Sequence, residues 1–231
     1  MSVQIDIDQA RFNMIEQQIR PWDVLDGDVL ATLSAVARED FVPPEHKALA
    51  FSDMEIPLSK PSQAGLCMLA PRVEARLLQE LNVKSSDHVL EIGTGSGYMA
   101  ALLAYNAKRV VTVENNQSMA ANARDNIEQA HIHNIELVQG DGAKVQTWAA
   151  FGPFDAIVLS GSVASVPQAF LQHLKPGGRL AAICGNEPVM CATVVTRGED
   201  NAQGATFSQT TPWDTVAPRL SGFDEPSAFS F

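Results

Sequence analysis

Ten residues, Val89-Leu90-Glu91-Ile92-Gly93-Thr94-Gly95-Ser96-Gly97-Tyr98, run from an apolar stretch through three alternating glycines into a helical pattern. Glycine takes positive φ without steric cost, so Gly93, Gly95 and Gly97 let the backbone turn sharply and bring its amides close to a ligand. A strand that turns on glycines into a helix opens a β-α-β unit of the kind that holds a nucleotide-like cofactor. A dinucleotide turn carries a further glycine or alanine three residues beyond its second glycine, where helix packs on strand. Tyr98 stands there instead. That difference, with Glu91 just ahead of the tight turn, favours S-adenosylmethionine over NAD. A glycine-rich turn that binds nothing is the competing reading.

The segments that follow repeat the alternation of strand and helix. Arg109-Val110-Val111-Thr112-Val113-Glu114 is a β-branched run ending in a carboxylate, separated from the glycine turn by an Ala/Leu-rich helical stretch. A carboxylate at the end of the second strand can accept hydrogen bonds from both hydroxyls of a ribose, and Glu114 is the candidate; a solvated strand-end acid is the alternative. A third strand over 135–139 leads into Gly140-Asp141-Gly142, where Asp141 can accept from an adenine amino group, although Asp-Gly is also a good turn in its own right. Further strands are expected over 154–161 and after Lys175-Pro176-Gly177-Gly178-Arg179-Leu180. The pattern predicts an α/β, doubly wound sheet, with ligands outside the carboxyl ends of its strands. The expected cofactor residues are Glu91, Gly93, Thr94, Gly95, Ser96, Gly97, Glu114, Asn115, Asp141, Gly142 and Ser160.

Around this core the periodicity predicts a helical N-terminal part. Phe12, Ile15 and Ile19 share one face of a helix over 9–20, which Pro21 ends. A second helix is expected over 26–38 with Val29, Leu30, Leu33 and Val36 inward, and a short one over 45–51 after the Phe41-Val42-Pro43-Pro44 break. Residues 53–68 are rich in Pro, Ser and Gly and read as a loop across the mouth of the sheet. Pro71 suits the first turn of a helix through Leu81. Two late runs, 189–196 and 205–211, form a terminal antiparallel pair. The expected organisation is one domain over 1–231, made of a helical part with the substrate loop (1–82) and a Rossmann-like cofactor-binding core (83–231).

Charge and cysteine usage narrow the function classes. Lys and Arg number 16 against 27 Asp and Glu, and the net charge of −11 argues against a nucleic-acid or anionic-membrane partner. Cys67, Cys184 and Cys191 have no metal-ligand spacing and cannot all pair, and the N-terminal residues do not resemble a secretion signal, so the cytoplasm is expected. The pair His131-x-His133 lacks a partner at ligand spacing and reads as a solvated turn, and no metal site is expected. The aromatic tail, Phe223, Phe229 and Phe231, is expected to pack within the monomer.

The chain resembles the protein L-isoaspartyl (D-aspartyl) O-methyltransferase family over most of its length. The likeness runs from Met14-Ile15-Glu16-Gln17-Gln18-Ile19-Arg20 through Phe41-Val42-Pro43, the glycine turn and Gly140-Asp141-Gly142 to Leu174-Lys175-Pro176-Gly177-Gly178-Arg179-Leu180. The resemblance implies a class I S-adenosylmethionine methyltransferase fold. It also implies methylation of the misplaced carboxylate of an isoaspartyl residue in a protein or peptide, as a step of protein repair.

In one loop the chain departs from that family. The family carries Gly-Gln-Thr-Ile-Ser followed, one residue later, by proline; here the match is Gly65-Leu66-Cys67-Met68-Leu69-Ala70-Pro71. Leu69 stands at the position of the family's active-site serine, and leucine donates no hydrogen bond. Leu66, Cys67, Met68 and Leu69 are the substrate residues that the resemblance implies, and Glu74 stands where vertebrate members have a histidine. The family's Thr-Ala-Ala-Ala-Pro segment is likewise replaced, by residues 160–165. Methyl transfer to an ionised carboxylate needs no general base, so positioning and desolvation do most of the work. The expectation is intact cofactor binding with poor or absent isoaspartyl turnover. Two alternatives stay open: a methyltransferase of a less polar small molecule, and a cofactor-binding protein without catalysis.

Overall fold

The computed structural model describes residues 6–59, 65–202 and 204–225. Asp6 caps helix α1 (Ile7–Met14) by accepting from the Gln9 amide at 3.1 Å. The helix then widens to a π turn over Ile15–Ile19 and tightens to a 3-10 turn over Arg20–Trp22, with Pro21 inside it. Met14, Ile15 and Ile19 are buried, but Phe12 is 57% exposed, against the expectation for that face. Arg11 turns inward in its place, its guanidinium bonded to Glu39. Helix α2 (Gly27–Ala35) is capped by the Asp26 carboxylate and stops at Val36, which is extended (φ −89°, ψ 108°), three residues short of the expected end. The break lets a second short helix, α3 (Arg38–Phe41), turn Arg38 into the core.

The expected mouth loop is held at both ends. After a 3-10 segment (Pro44–Leu49), strands β1 (Ile56–Pro57) and β2 (Cys67–Met68) pair antiparallel, Ile56 opposite Met68 and Pro57 opposite Cys67. Helix α4 (Pro71–Leu81) begins on Pro71 and ends at Asn82 in the left-handed region (φ 45°), with Val73, Leu77, Leu78 and Leu81 buried.

The main sheet follows in alternation: β3 (His88–Ile92), α5 (Tyr98–Asn106), β4 (Arg109–Glu114), α6 (Gln117–Gln129), β5 (Ile135–Gln139), β6 (Phe154–Val163), α7 (Gln168–Leu171), β7 (Leu174–Asn186), β8 (Val189–Arg197) and β9 (Phe207–Asp214). Its order is β5-β4-β3-β6-β7-β8-β9. The pairs from β5 to β7 are parallel and the last two are antiparallel. The chain winds one way from β3 through β4 to β5 and the other way from β6 outward, so a crevice opens at the carboxyl ends beside β3. The terminal pair forms as expected, with β9 running on to Asp214.

Successive residues of the central strands feed opposite cores, as strands buried on both faces require. Val89, Val110, Ala156 and Val158 pack with α4, α5 and the N-terminal helices, while Leu90, Val111, Ile157 and Leu159 pack with Trp148, Phe154 and Phe170. Trp148 is wholly buried, stacks on Phe170 at 4.5 Å and donates its indole N–H to the Gly142 carbonyl at 2.9 Å. That bond anchors the Asp141-Gly142 turn to the core. Beyond β9 the chain returns over the sheet: the Ser162 amide donates to the Pro218 carbonyl at 2.7 Å, and the Leu220 amide donates to the Ser162 carbonyl at 2.9 Å. Residues 218–223 thereby form a strap across the carboxyl ends of the strands. No helix among the described residues is long and apolar enough to cross a membrane.

Candidate active site

A cleft of about 190 Å³ lies where the sheet switches direction. Gly93 and Gly95 form its base, Glu114, Asn115 and Gly142 one side, and Ser160 with the strap the other. The hairpin contributes Gly65, Leu66 and Cys67. Of these nine residues all but Gly65 are candidate ligand residues from the sequence, and the fold brings them to one place.

Glu114 ties the turn together. Its Oε2 accepts from the Gly95 amide and its Oε1 from the Asn116 amide, both at 2.9 Å. A carboxylate has about four acceptor positions, so two remain for the hydroxyls of a ribose. Gly93 takes φ +93°, and a Cβ there would lie 2.9 Å from Leu220 Cδ2 and 3.3 Å from the Ser160 carbonyl oxygen. The left-handed conformation strains any other residue there, and a side chain would also press on Leu220 and the Ser160 carbonyl.

Glu91 lies wholly buried beneath the turn and off the cleft wall. It accepts from Thr112 Oγ1 at 2.7 Å and from Ser160 Oγ at 2.8 Å. Thr112 Oγ1 is in turn in hydrogen-bond contact with Thr94 Oγ1 at 2.6 Å. Burial pushes the Glu91 carboxyl up to about 8, against the hydrogen bonds from Thr112 and Ser160 and with the help of Glu114's charge. This set of hydroxyls and acid fixes Thr94 and Ser160 relative to the turn.

Other expected site residues lie outside the cleft. Ser96 lines a neighbouring hollow with Asn126, whose side-chain amide donates to the Ser96 carbonyl at 2.9 Å. Gly97 is the positive-φ residue that starts α5. Asp141 stands beside the cleft with Oδ1 accepting from the Ala143 amide at 3.0 Å, and Gly222 of the strap comes so close that a Cβ there would lie 2.7 Å from Oδ1. Met68 is buried in the core. Leu69 corrects the expectation most: its side chain is 6% exposed and lines a groove on the far side of the hairpin, while its carbonyl accepts from the buried Arg38 guanidinium at 3.1 Å.

The sequence reading missed the strap and part of the wall. Arg219, Leu220, Ser221 and Phe223 line the cleft, with Leu58 and Met119. Asn115 donates to Ser221 Oγ, and Phe223 packs 6.1 Å from Phe170. The available signal was apolar Leu220 and Phe223 set among Pro218 and Gly222 in a polar tail. Phe229 and Phe231 lie outside the described residues, and His131 and His133 are exposed on the turn after α6.

Comparisons with known proteins agree with this architecture. The family model for protein-L-isoaspartate(D-aspartate) O-methyltransferase matches residues 9–211. A protein-L-isoaspartate O-methyltransferase of Methanoculleus marisnigri is 39% identical over 187 residues, covering 81% of each chain. One of Herpetosiphon aurantiacus is 34% identical over 200 residues, covering 87% of each. Among solved structures, a protein-L-isoaspartate O-methyltransferase of Plasmodium falciparum in complex with S-adenosyl-L-homocysteine superposes with TM-score 0.72 at 19% identity, covering 94% of this chain and 99% of that one. With the β-α-β crevice, the glycine turn and matches across most of its length, the chain belongs to the protein-L-isoaspartate(D-aspartate) O-methyltransferase family.

Proposed function

We propose that the chain methylates the free carboxylate of isoaspartyl residues in polypeptides, with S-adenosylmethionine as methyl donor. The observation that carries this reading is the Glu114-braced glycine turn in a chain matched to the family over 9–211. The cofactor supplies an activated methyl group on a sulfonium. Glu114 would hold its ribose and Gly142 and Asp141 its adenine edge, with its amino-acid end lying over the glycine turn; Ile92, Val113 and Met119 offer apolar wall for the ring. Once bound, the sulfonium would supply its methyl group to the acceptor carboxylate and keep the bonding electron pair, so that the products would be a methyl ester and the demethylated cofactor. At neutral pH a carboxyl of ordinary pKa, about 4, is already ionised, so no side chain need take a proton. What the chain supplies is alignment and exclusion of water by Leu58, Leu66 and Leu220.

The hairpin lowers efficiency in this reading. Leu66 and Cys67 face the cleft where the family has glutamine and threonine, and burial pushes the Cys67 thiol up to about 12, helped by Glu55, so it stays a neutral, weak donor. Selection of isoaspartyl over aspartyl acceptors is expected to survive with slow turnover. We propose further that 1–231 acts as one domain in the cytoplasm, without nucleic-acid or membrane partners; the net charge of −11 supports the last point. Calorimetry with S-adenosylhomocysteine and NAD tests the cofactor. Micromolar-range binding of the first and none of the second is expected, and the reverse would overturn the assignment.

A further inference from the structure

The hairpin β1–β2 separates two hollows. Gly65, Leu66 and Cys67 line the cofactor cleft. Leu69 and Ala70, just beyond, line a groove of about 730 Å³ whose far wall is formed by Met190 of β8 and Trp213 of β9. The rim of this groove gathers four of the chain's exposed large apolar side chains, Trp22 (48% exposed), Met54 (44%), Val189 (78%) and Val216 (50%). Scattered exposed apolar residues are ordinary, but several around one concavity mark a contact surface.

Two arginines one helical turn apart enter the same groove from α4. Arg72 lies over the Trp22 ring at 4.6 Å and is neutralised by Asp53, 2.5 Å away. Arg76 lies over the Trp213 ring, also at 4.6 Å, and its Nε is buried with no hydrogen-bond partner. Among the described residues no carboxylate pairs with it. Glu55, which shares the groove, contacts Cys67 Sγ at 3.6 Å instead, and Asp214, also on the groove wall, makes no ion pair with Arg76. A guanidinium presents a planar fork of donors that matches a carboxylate, and stacking on an indole orients that fork without neutralising it.

We propose that this groove seats the stretch of acceptor polypeptide flanking the methylated residue, with an apolar side chain against Trp22 and Met54 and the carboxylate of a flanking Asp or Glu on Arg76. The proposal rests on the polypeptide-methylating function above and adds to it which acceptor sequences are bound best. The adjoining Leu69–Ala70 segment places the groove directly behind the hairpin that faces the cofactor. Strand β9 is the free edge of the sheet on that side and leaves room for an extended chain.

The test is binding of three fluorescent isoaspartyl peptides to the full chain loaded with S-adenosylhomocysteine. One peptide carries an apolar residue and Glu beside the isoaspartyl residue, one the same apolar residue and Lys, and one only Gly. The Glu peptide is expected to bind about tenfold tighter than the Lys peptide, the order of one charge-assisted hydrogen bond. Arg76→Glu is expected to reverse that order, and Arg76→Met, which keeps an unbranched stem over Trp213, to erase it. Trp22→Ala should weaken the two apolar-flanked peptides and spare the glycine one. Affinity for S-adenosylhomocysteine and the melting temperature serve as fold controls. No binding by wild type, equal binding of the three peptides, or an unchanged order in Arg76→Glu would overturn the groove. Flank-dependent binding without any methyl ester would overturn the proposed function and leave the groove standing; ester formation indifferent to flanks would do the opposite.

Discussion

Glu74 and Glu91 are buried carboxyl groups, one on the first turn of α4 and one beneath the glycine turn. Burial pushes Glu74 up to about 8, with Arg38 working against that shift and Glu91 adding to it, and Glu91 likewise rises to about 8. Both folded values exceed the 4.5 of the free side chain. Between those limits the folded chain binds more protons than the unfolded one, so stability is greatest below about pH 4.5 as far as these groups are concerned and is lost as pH rises through about 8. Glu74→Gln removes one of the two titrations. Its urea midpoint is expected to fall less steeply than wild type from about pH 5 to about pH 9, and identical slopes would place the proton elsewhere. Glu114→Gln bears on the cofactor instead. It loses charge-assisted bonds, and the affinity for S-adenosylhomocysteine is expected to fall roughly ten- to a hundredfold; an unchanged dissociation constant in calorimetry would mean that the carboxylate serves only the Gly95 and Asn116 amides. In the hairpin, Leu66 and Cys67 face the cleft while Leu69 does not. Leu66→Gln with Cys67→Thr is therefore expected to raise kcat/KM on an isoaspartyl peptide about tenfold or more, and Leu69→Ser alone to change it little. A gain confined to Leu69→Ser would show that the loop rearranges before methyl transfer.

At the level of elements, what sequence periodicity can see is what formed as expected. Val73, Leu77, Leu78 and Leu81 repeat at helical spacing, and α4 runs from Pro71 to Leu81. The β-branched run ending at Glu114 became β4, and the glycine turn precedes α5. The N-terminal helix was legible as a helix but not in its pitch, because an arginine at position 11 satisfied by Glu39 displaced Phe12 from the inner face. The position of the strap was not legible, although apolar Leu220 and Phe223 stand out in the tail. Its place depends on two backbone bonds to Ser162, more than fifty residues upstream, and on the space over Gly93 that Leu220 fills. Local pattern carries no record of such remote contacts. Leu220→Ala removes part of the roof over Gly93, and stopped-flow association and dissociation of S-adenosylhomocysteine are both expected to quicken. Unchanged rates would assign the strap no part in cofactor exchange.

Over the whole molecule, one sheet serves both cores and the site. The parallel strands carry apolar residues to both faces, and the reversal of winding at β3 opens the crevice between them. Trp148 links these functions, since it fills one core and holds the Gly142 carbonyl. Trp148→Ala is expected to cost about 3–5 kcal/mol of unfolding free energy, measured by urea denaturation, and a loss below about 1 kcal/mol would contradict its place in that core. The doubly wound sheet and the residues at the base of the cleft were readable beforehand because strands and glycine turns are local features. The groove proposed for the acceptor was not, because it is assembled from Trp22, α4 and the two outer strands. The most direct measurement is therefore on the acceptor: the purified chain incubated with labelled S-adenosylmethionine and either an isoaspartyl peptide or the matching aspartyl peptide. The expected result is a slow, base-labile methyl ester on the isoaspartyl peptide and none on its control. No ester on either peptide, or equal ester on both, would contradict the proposed reaction.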